Sequence, residues 1–173
     1  LYNLPTTGLR FFTVYGPYGR PDMALFLFLK AIINNKKLKV FNSGKMGRDF
    51  TYVDDIVNTI EKITLTIPKS NNDWNPIAPN PSSSSAPYKV YNIGNNHSVK
   101  LTDFIKELED KVGIKAKLDL MPMQPGDVEL THADIDKTVE DFGYKPNTSV
   151  KDGIARFVDW YFKHQKVLEE NGL

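Results

Sequence analysis

The chain contains no cysteine, and its three histidines, His97, His132 and His164, are scattered without ligand spacing. The first absence excludes a disulfide framework and thiolate metal sites, and the second leaves no metal-binding pattern. A cytoplasmic setting is the expectation that fits a cysteine-free chain. Neither sign of charge is in excess: 22 basic residues stand against 21 acidic ones, a formal net charge of +1. No sequence-wide basic field therefore exists to hold nucleic-acid phosphates or an anionic membrane surface. No apolar run is long enough to span a bilayer, and the opening Leu1-Tyr2-Asn3 has neither a basic leader nor a starting Met. It reads as though cut from something longer. Neither nucleic acid nor membrane is an expected partner.

What is present suits one ordinary globular domain: 173 residues, 40% hydrophobic and 25% charged, can bury a core and are too apolar for a disordered tail. Thr7 to Val14 (TGLRFFTV) is an apolar, aromatic and β-branched run that predicts a buried strand. After it comes a loop, Tyr15 to Asp22, and then a helix from Met23 to Asn34, with Leu25, Phe26, Leu29, Ile32 and Ile33 at helical spacing and Asp22 as N-cap. Leu38 to Phe41 predicts a second strand, Asn42 to Asp49 a loop, and about Asp54 to Ile67 a helix whose apolar face is Ile56, Val57, Ile60, Ile63 and Thr64.

Residues 68–87, rich in Pro, Asn and Ser, predict a surface excursion without periodicity. Order returns with a strand at Tyr88 to Ile93, a helix at Leu101 to Val112 capped near Thr102, and a strand at Ala116 to Met121. A polar loop from Pro122 to Asp134, a short helix to Phe142, and a last helix begun by Thr148 or Ser149 complete the chain. The final helix buries Ile154, Phe157, Val158 and Tyr161. Alternating strands and helices make this an α/β chain.

Chemistry is expected first in the loop that leaves the strand at Val14, because ligands in open α/β sheets bind outside the carboxyl ends of strands. Arg20 and Arg48 lie in glycine-containing loops, and their guanidinium groups suit a bidentate grip on carboxylate or phosphate; a solvated arginine or a structural ion pair is the alternative for each. The charged and aromatic run Arg48 to Asp55 stands just before a helix, where free N–H groups and the macrodipole favour anions, with Asp54 as a plain helix cap the alternative. In Pro122-Met123-Gln124-Pro125-Gly126-Asp127 two fixed φ angles and one permissive glycine present Asp127 in a defined direction, although a plain loop carboxylate is as compatible with the spacing. No G-x-G-x-x-G turn, Tyr-x-x-x-Lys pair or nucleophile elbow is present. No catalytic residue is therefore assigned within the chain.

Five stretches in order, LRFFTVYGP (Leu9 to Pro17), GRPDMA (Gly19 to Ala24), RDFTYVDD (Arg48 to Asp55), YNIG (Tyr91 to Gly94) and MQPGDV (Met123 to Val128), resemble the landmarks of NAD-dependent nucleotide-sugar epimerases and dehydratases. These belong to the extended short-chain dehydrogenase/reductases. RFFTVYGP, GRPDMA and MQPGD are most similar to the UDP-glucuronate 4-epimerase branch. The resemblance implies the C-terminal part of a Rossmann-fold protein with a small α/β substrate-binding domain. Residues 1–22 would be the last part of the NAD-binding domain. Residues 23–173 would form the substrate-binding region, with one returning strand near 88–94 and a flexible excursion at 68–87.

In that family NAD takes a hydride from sugar C4, a Tyr assisted by a Lys removes the hydroxyl proton, and the keto sugar rotates before re-reduction. The Tyr/Lys pair and the NAD-binding glycines would precede Leu1, so the fragment by itself is expected to be inactive. The resemblance assigns Thr13 and Arg20 to the sugar carboxylate, Arg48 to the diphosphate and Asp127 to the ribose hydroxyls. It places Met23, Ala24, Phe26 and Lys30 on a helix beside the nucleotide, Val40 and Phe41 on a strand lining the uracil, and Phe12 and Val14 next to the nicotinamide. Oxidation at C4 makes a β-keto acid, which loses CO2 when the scissile bond stands perpendicular to the carbonyl plane; fixing the carboxylate in another orientation opposes that loss. A UDP-sugar is the expected partner, with a homodimer possible in the intact protein. Another dehydratase, decarboxylase or epimerase of the family, or a non-catalytic nucleotide-sugar binding module, are the competing readings.

Overall fold

Phe12 divides the first apolar run into two strands that serve different sheets. In the computed structural model, which describes residues 2–170 and 172, strand β1 (Thr6–Phe11) pairs in parallel with β5 (Tyr88–Ile93), from Thr6 opposite Tyr88 to Phe11 opposite Ile93. Phe12 donates its N–H to the Ile93 carbonyl at 3.1 Å and closes that ladder. Strand β2 (Thr13–Tyr15) then pairs in parallel with β4 (Gly47–Tyr52). The single buried strand expected over Thr7 to Val14 is corrected on both counts. Among the described residues β1 has one neighbour, so its other edge is open and Phe11 remains 48% exposed.

Helix α1 (Ala24–Ile33) is capped by the extended backbone of Met23 without a side-chain hydrogen bond, so Asp22 is not its cap. The Asp22 carboxylate is occupied by Arg20 instead. Strand β3 (Lys37–Val40) alternates, burying Leu38 and Val40 and exposing Lys37 and Lys39, and pairs in parallel with β7 (Lys117–Leu120). Phe41 falls outside β3 and opens a short 3-10 turn, Phe41–Gly44.

The loop expected from Asn42 to Asp49 ends early, because β4 begins at Gly47 and makes Arg48 and Asp49 strand residues. Three-residue β6 (Ser98–Lys100), which has no counterpart in the sequence reading, covers the start of β4 in antiparallel register. Helix α2 (Val53–Thr64) follows β4 without a loop and buries Asp55, Ile56, Thr59 and Ile63. Its N-cap is Tyr52 rather than Asp54, which lies in the first turn. Val57 and Thr64, assigned to the buried face, are exposed. The helix stops short of Ile67, the residue before Pro68, where the proline ring disfavours helical backbone.

Residues 68–87 contain no helix or strand beyond one isolated bridge, Ser83 to Lys89, and are held by local bonds such as Asn71 N–H to the Ser84 carbonyl at 2.9 Å. Helix α3 (Leu101–Val112) starts from Lys100, with no side-chain cap from Thr102, and ends at Gly113 with φ 76°. Helix α4 (Asp136–Phe142) and helix α5 (Val150–Glu170) complete the fold. Ser149 starts α5: its Oγ accepts the Asp152 N–H at 3.1 Å and donates to the Asp152 carboxylate at 2.6 Å.

Two apolar clusters result. The larger joins α1, α3 and α5 to β2, β3 and β4, with Phe50 and Phe104 stacked at 4.0 Å between ring centres. The smaller packs α2 against β5, Ala133, Ile135 and Tyr144. Each fully buried Phe, Leu or Ile contributes about 1.5–3 kcal/mol relative to exposure.

Candidate functional site

A cavity of about 570 Å³ opens where α1, β3 and β4 meet the loop after β7. Its wall is largely apolar, from Met23, Leu27, Phe28, Phe41 and Phe50, and Thr13 reaches it from β2. Three basic side chains, Lys37, Lys39 and Arg48, line it against one acidic one, Asp127. Flat apolar walls beside an excess of positive charge suit a ligand with a ring system and an anionic group.

Arg48 and Asp127 meet on the wall of this cavity, with Arg48 Nη2 at 2.9 Å from Asp127 Oδ1. The guanidinium also donates to the carbonyls of Gly47 at 3.0 Å and Glu129 at 3.4 Å. Asp127 follows Gly126, whose φ of 81° makes the bend in which Asp127 N–H bonds the Gln124 carbonyl. The side chains are 20% and 31% exposed, so the pair is partly desolvated yet open to competition by a ligand.

A small hollow of about 30 Å³ adjoins the cavity, sharing Thr13, Met23, Ala24 and Phe50 with it and adding Val14 and Arg20. Thr13 and Arg20 thus border one space. The Arg20 guanidinium is turned outward, its Nε 3.1 Å from Asp22 Oδ1, and that hydrogen bond holds the Asp22 carboxyl below the usual carboxylate range.

Six of the residues singled out from the sequence, Thr13, Met23, Ala24, Phe41, Arg48 and Asp127, come together on the larger cavity. Others do not. Val40 is fully buried on the face of β3 turned to the core, so it has no access to a ligand. Phe26 is packed edge-on against Phe157 and borders only the small hollow. Lys30, half-exposed on α1, lines neither space. Phe12 and Val14 rest, partly buried, against the smaller core cluster, and Phe11 at the end of β1 is 48% exposed.

Lys37, Lys39, Phe28 and Leu101 line the cavity without having been singled out. The period-two pattern Lys-Leu-Lys-Val carried the signal for both lysines. Among the described residues no cluster of three metal-ligating side chains occurs, and no helix is long and apolar enough to cross a membrane.

The NAD dependent epimerase/dehydratase family matches residues 1–94. Protein CapI of Staphylococcus aureus is 54% identical over 166 residues, covering 96% of this chain and 50% of that protein. A probable UDP-glucuronate 4-epimerase of Rhizobium meliloti is 46% identical over 162 residues, covering 93% and 48%. The crystal structure of the UDP-glucuronic acid 4-epimerase from Bacillus cereus in complex with UDP-glucuronic acid and NAD superposes with a TM-score of 0.78 at 31% identity, covering 94% of this chain and 46% of that one. The chain spans about half the length of the curated relatives it matches.

Proposed function

Since the chain belongs to the NAD dependent epimerase/dehydratase family, we propose that it is the substrate-binding part of a nucleotide-sugar 4-epimerase acting on UDP-glucuronate. The observation that carries this reading is the meeting of Thr13, Met23, Ala24, Phe41, Arg48 and Asp127, drawn from separate stretches of sequence, around one apolar and electropositive cavity. The similarity to UDP-glucuronate 4-epimerases supports the branch.

In this reading Phe41 and Met23 receive the uracil, Arg48 grips the diphosphate, and the Asp127 carboxylate accepts hydrogen bonds from the ribose hydroxyls. Thr13 and Arg20 hold the sugar carboxylate from the small hollow. Phe12 and Val14 lie beside the nicotinamide. When bound, NAD supplies the hydride acceptor and donor for C4. Residues 1–22 then belong with the cofactor-binding domain and 23–173 form the substrate-binding region. The Tyr/Lys pair and glycine-rich turn, absent from these 173 residues, are supplied by sequence outside them.

The test is to incubate the natural full-length protein carrying this sequence with UDP-glucuronate and NAD. The expected product is UDP-galacturonate, with no net accumulation of NADH because the hydride returns to the sugar. A protein that turns over UDP-glucose but not UDP-glucuronate would displace the acidic-sugar reading, and release of CO2 with a pentose product would make it a decarboxylase.

A further inference from the structure

The carboxylate of Asp49, wholly buried on β4 directly after Arg48, takes no part in the proposed contacts with substrate. Among the described residues no cation pairs with it. Its charge is met by hydrogen bonds alone: Oδ1 accepts from Asn95 N–H at 2.6 Å and the Thr51 hydroxyl at 3.3 Å, and Oδ2 accepts from Ala133 N–H at 3.0 Å. Its own N–H donates to Thr131 Oγ1 at 3.0 Å. A buried carboxylate is costly unless its oxygens are satisfied this way, and losing one partner leaves a penalty larger than the net worth of the bond.

These bonds tie one segment to β4. Gly47 N–H donates to the Glu129 carbonyl at 2.9 Å, and Thr131 N–H donates to the Gly47 carbonyl at 3.1 Å. Residues 129–133 therefore run along β4, fixed at Gly47 by backbone and at Asp49 by side chain. The approach is close at two glycines, and at Gly94 it excludes a Cβ, whereas at Gly47 the exposed Leu130 side chain can turn aside. A Cβ on Gly47 would lie 2.5 Å from Leu130 Cδ1, and one on Gly94 would strike the Ala133 methyl and lie 3.2 Å from Asp49 Oδ1. Two residues before Glu129 is Asp127, partner of Arg48. Side chains alternate along a strand, so Arg48 points to the cavity while Asp49 points to the knot behind it.

We infer that Asp49 is a positioning residue for nucleotide binding: by holding residues 129–133 against β4 it fixes the register in which Asp127 and Arg48 meet on the cavity wall. The inference rests on the nucleotide-sugar reading above. Asp49→Asn keeps the shape; with its oxygen left to the Asn95 N–H and the Thr51 hydroxyl, its NH2 meets the Ala133 N–H, so two donors oppose each other and the segment loses its side-chain tie at 133 while keeping the bonds at Gly47. Its effect on a nucleotide is then transmitted through Asp127, whereas a general loss of stability would weaken binding whatever stands at 127.

The experiment is a double-mutant cycle by calorimetry with UDP on the natural full-length protein: wild type, Asp49→Asn, Asp127→Ala and the double variant. Asp49→Asn is expected to weaken UDP binding about tenfold in the wild-type background and by less than about twofold once Asp127 is absent. Equal factors in both backgrounds, or no weakening in the first, overturn the inference. Should Asn at 49 prevent folding, Thr131→Val, which removes the acceptor for Asp49 N–H, replaces it with the same expectation and the same overturning results. A wild type that binds no UDP overturns the nucleotide reading and the inference together; additive variants in a UDP-binding protein overturn the inference alone.

Discussion

Gly153 in α5 lies directly beneath the phenol ring of Tyr15: a Cβ built on it would strike the hydroxyl oxygen and come within 2.7 Å of Cζ. The contact joins the longest helix to the strand that leads into the candidate site. Tyr15 is itself wedged edge-on against Phe50, Tyr52 and Phe104, so its ring has nowhere to retreat. In an exposed helix, Gly→Ala stabilises by about 1 kcal/mol. Here the sign reverses, because overpacking a filled core costs about 1–3 kcal/mol. Gly153→Ala is expected to lower the urea midpoint, and adding Tyr15→Phe, which removes the atom struck first, is expected to recover part of the loss. A stabilised Gly153→Ala variant would show that α5 moves freely over Tyr15.

Tyr91, Asp141 and Lys137 form a second linked group, at 2.6 Å from the Tyr91 hydroxyl to Asp141 Oδ2 and 2.7 Å from Lys137 Nζ to Asp141 Oδ1. Burial first, and then the Asp141 hydrogen bond, push the Tyr91 phenol up. For Asp141, burial raises the carboxyl, but the bonds from Lys137 and Tyr91 and the nearby lysine charges together bring it below the usual carboxylate range. A phenol raised in the folded state adds stability that is full below its unfolded value of about 10 and is lost as pH rises beyond it. A carboxyl lowered in the folded state adds stability present above about 3.9 and lost as pH falls below it. Tyr91→Phe should therefore flatten both the alkaline and the acid limbs of stability against pH, measured by urea unfolding. Unchanged slopes would remove the pair from the pH response.

Much of this organisation is legible in the residues. Tyr88 to Ile93 and Leu101 to Val112 form the elements their periodicities predict, because nothing charged interrupts the buried positions. β4 is hidden by Arg48 and Asp49, where a carboxylate occupies a core position made tolerable by distant amides, at 95 and 133, together with the Thr51 hydroxyl. The break at Phe12 has no local signal, since it is decided by which strands lie alongside. Val40, by contrast, is legible: the alternation Lys-Leu-Lys-Val sets it with Leu38 on the apolar face, which packs into the core with α1 and α3. Arg48 and Asp127 were legible as candidates, while their mutual 2.9 Å contact required the fold.

That contact sets an expectation with two opposite signs. Asp127→Asn weakens the competition for Arg48, so inorganic pyrophosphate is expected to bind the natural full-length protein several-fold more tightly. UDP, which in the proposed site also needs the carboxylate for its ribose, is expected to bind about tenfold more weakly. Calorimetry with both ligands reads the two signs directly. If both bind more tightly, Asp127 only shields Arg48; if both bind more weakly, Arg48 needs its partner to stay in place.

Arg20 presents the complementary case, a cation bordering the candidate site and held by an exposed partner. Its pair with Asp22 has side chains 76% and 64% exposed, and a pair so open to water is readily exchanged for another carboxylate. The sugar carboxylate beside Thr13 is the proposed replacement, the hollow they border being shared. Arg20→Ala is expected to raise KM for UDP-glucuronate at least about tenfold while leaving the affinity for UDP alone within about twofold, since UDP carries no sugar carboxylate. With the carboxylate free to rotate, the C4 keto intermediate is also expected to lose CO2, detected as a pentose nucleotide among the products. Asp22→Asn, which removes the competitor and keeps the cation, is expected to lower KM. An Arg20→Ala enzyme with unchanged KM and a single unchanged product would take Arg20 out of the site and leave the carboxylate to Thr13 and the rest of the hollow.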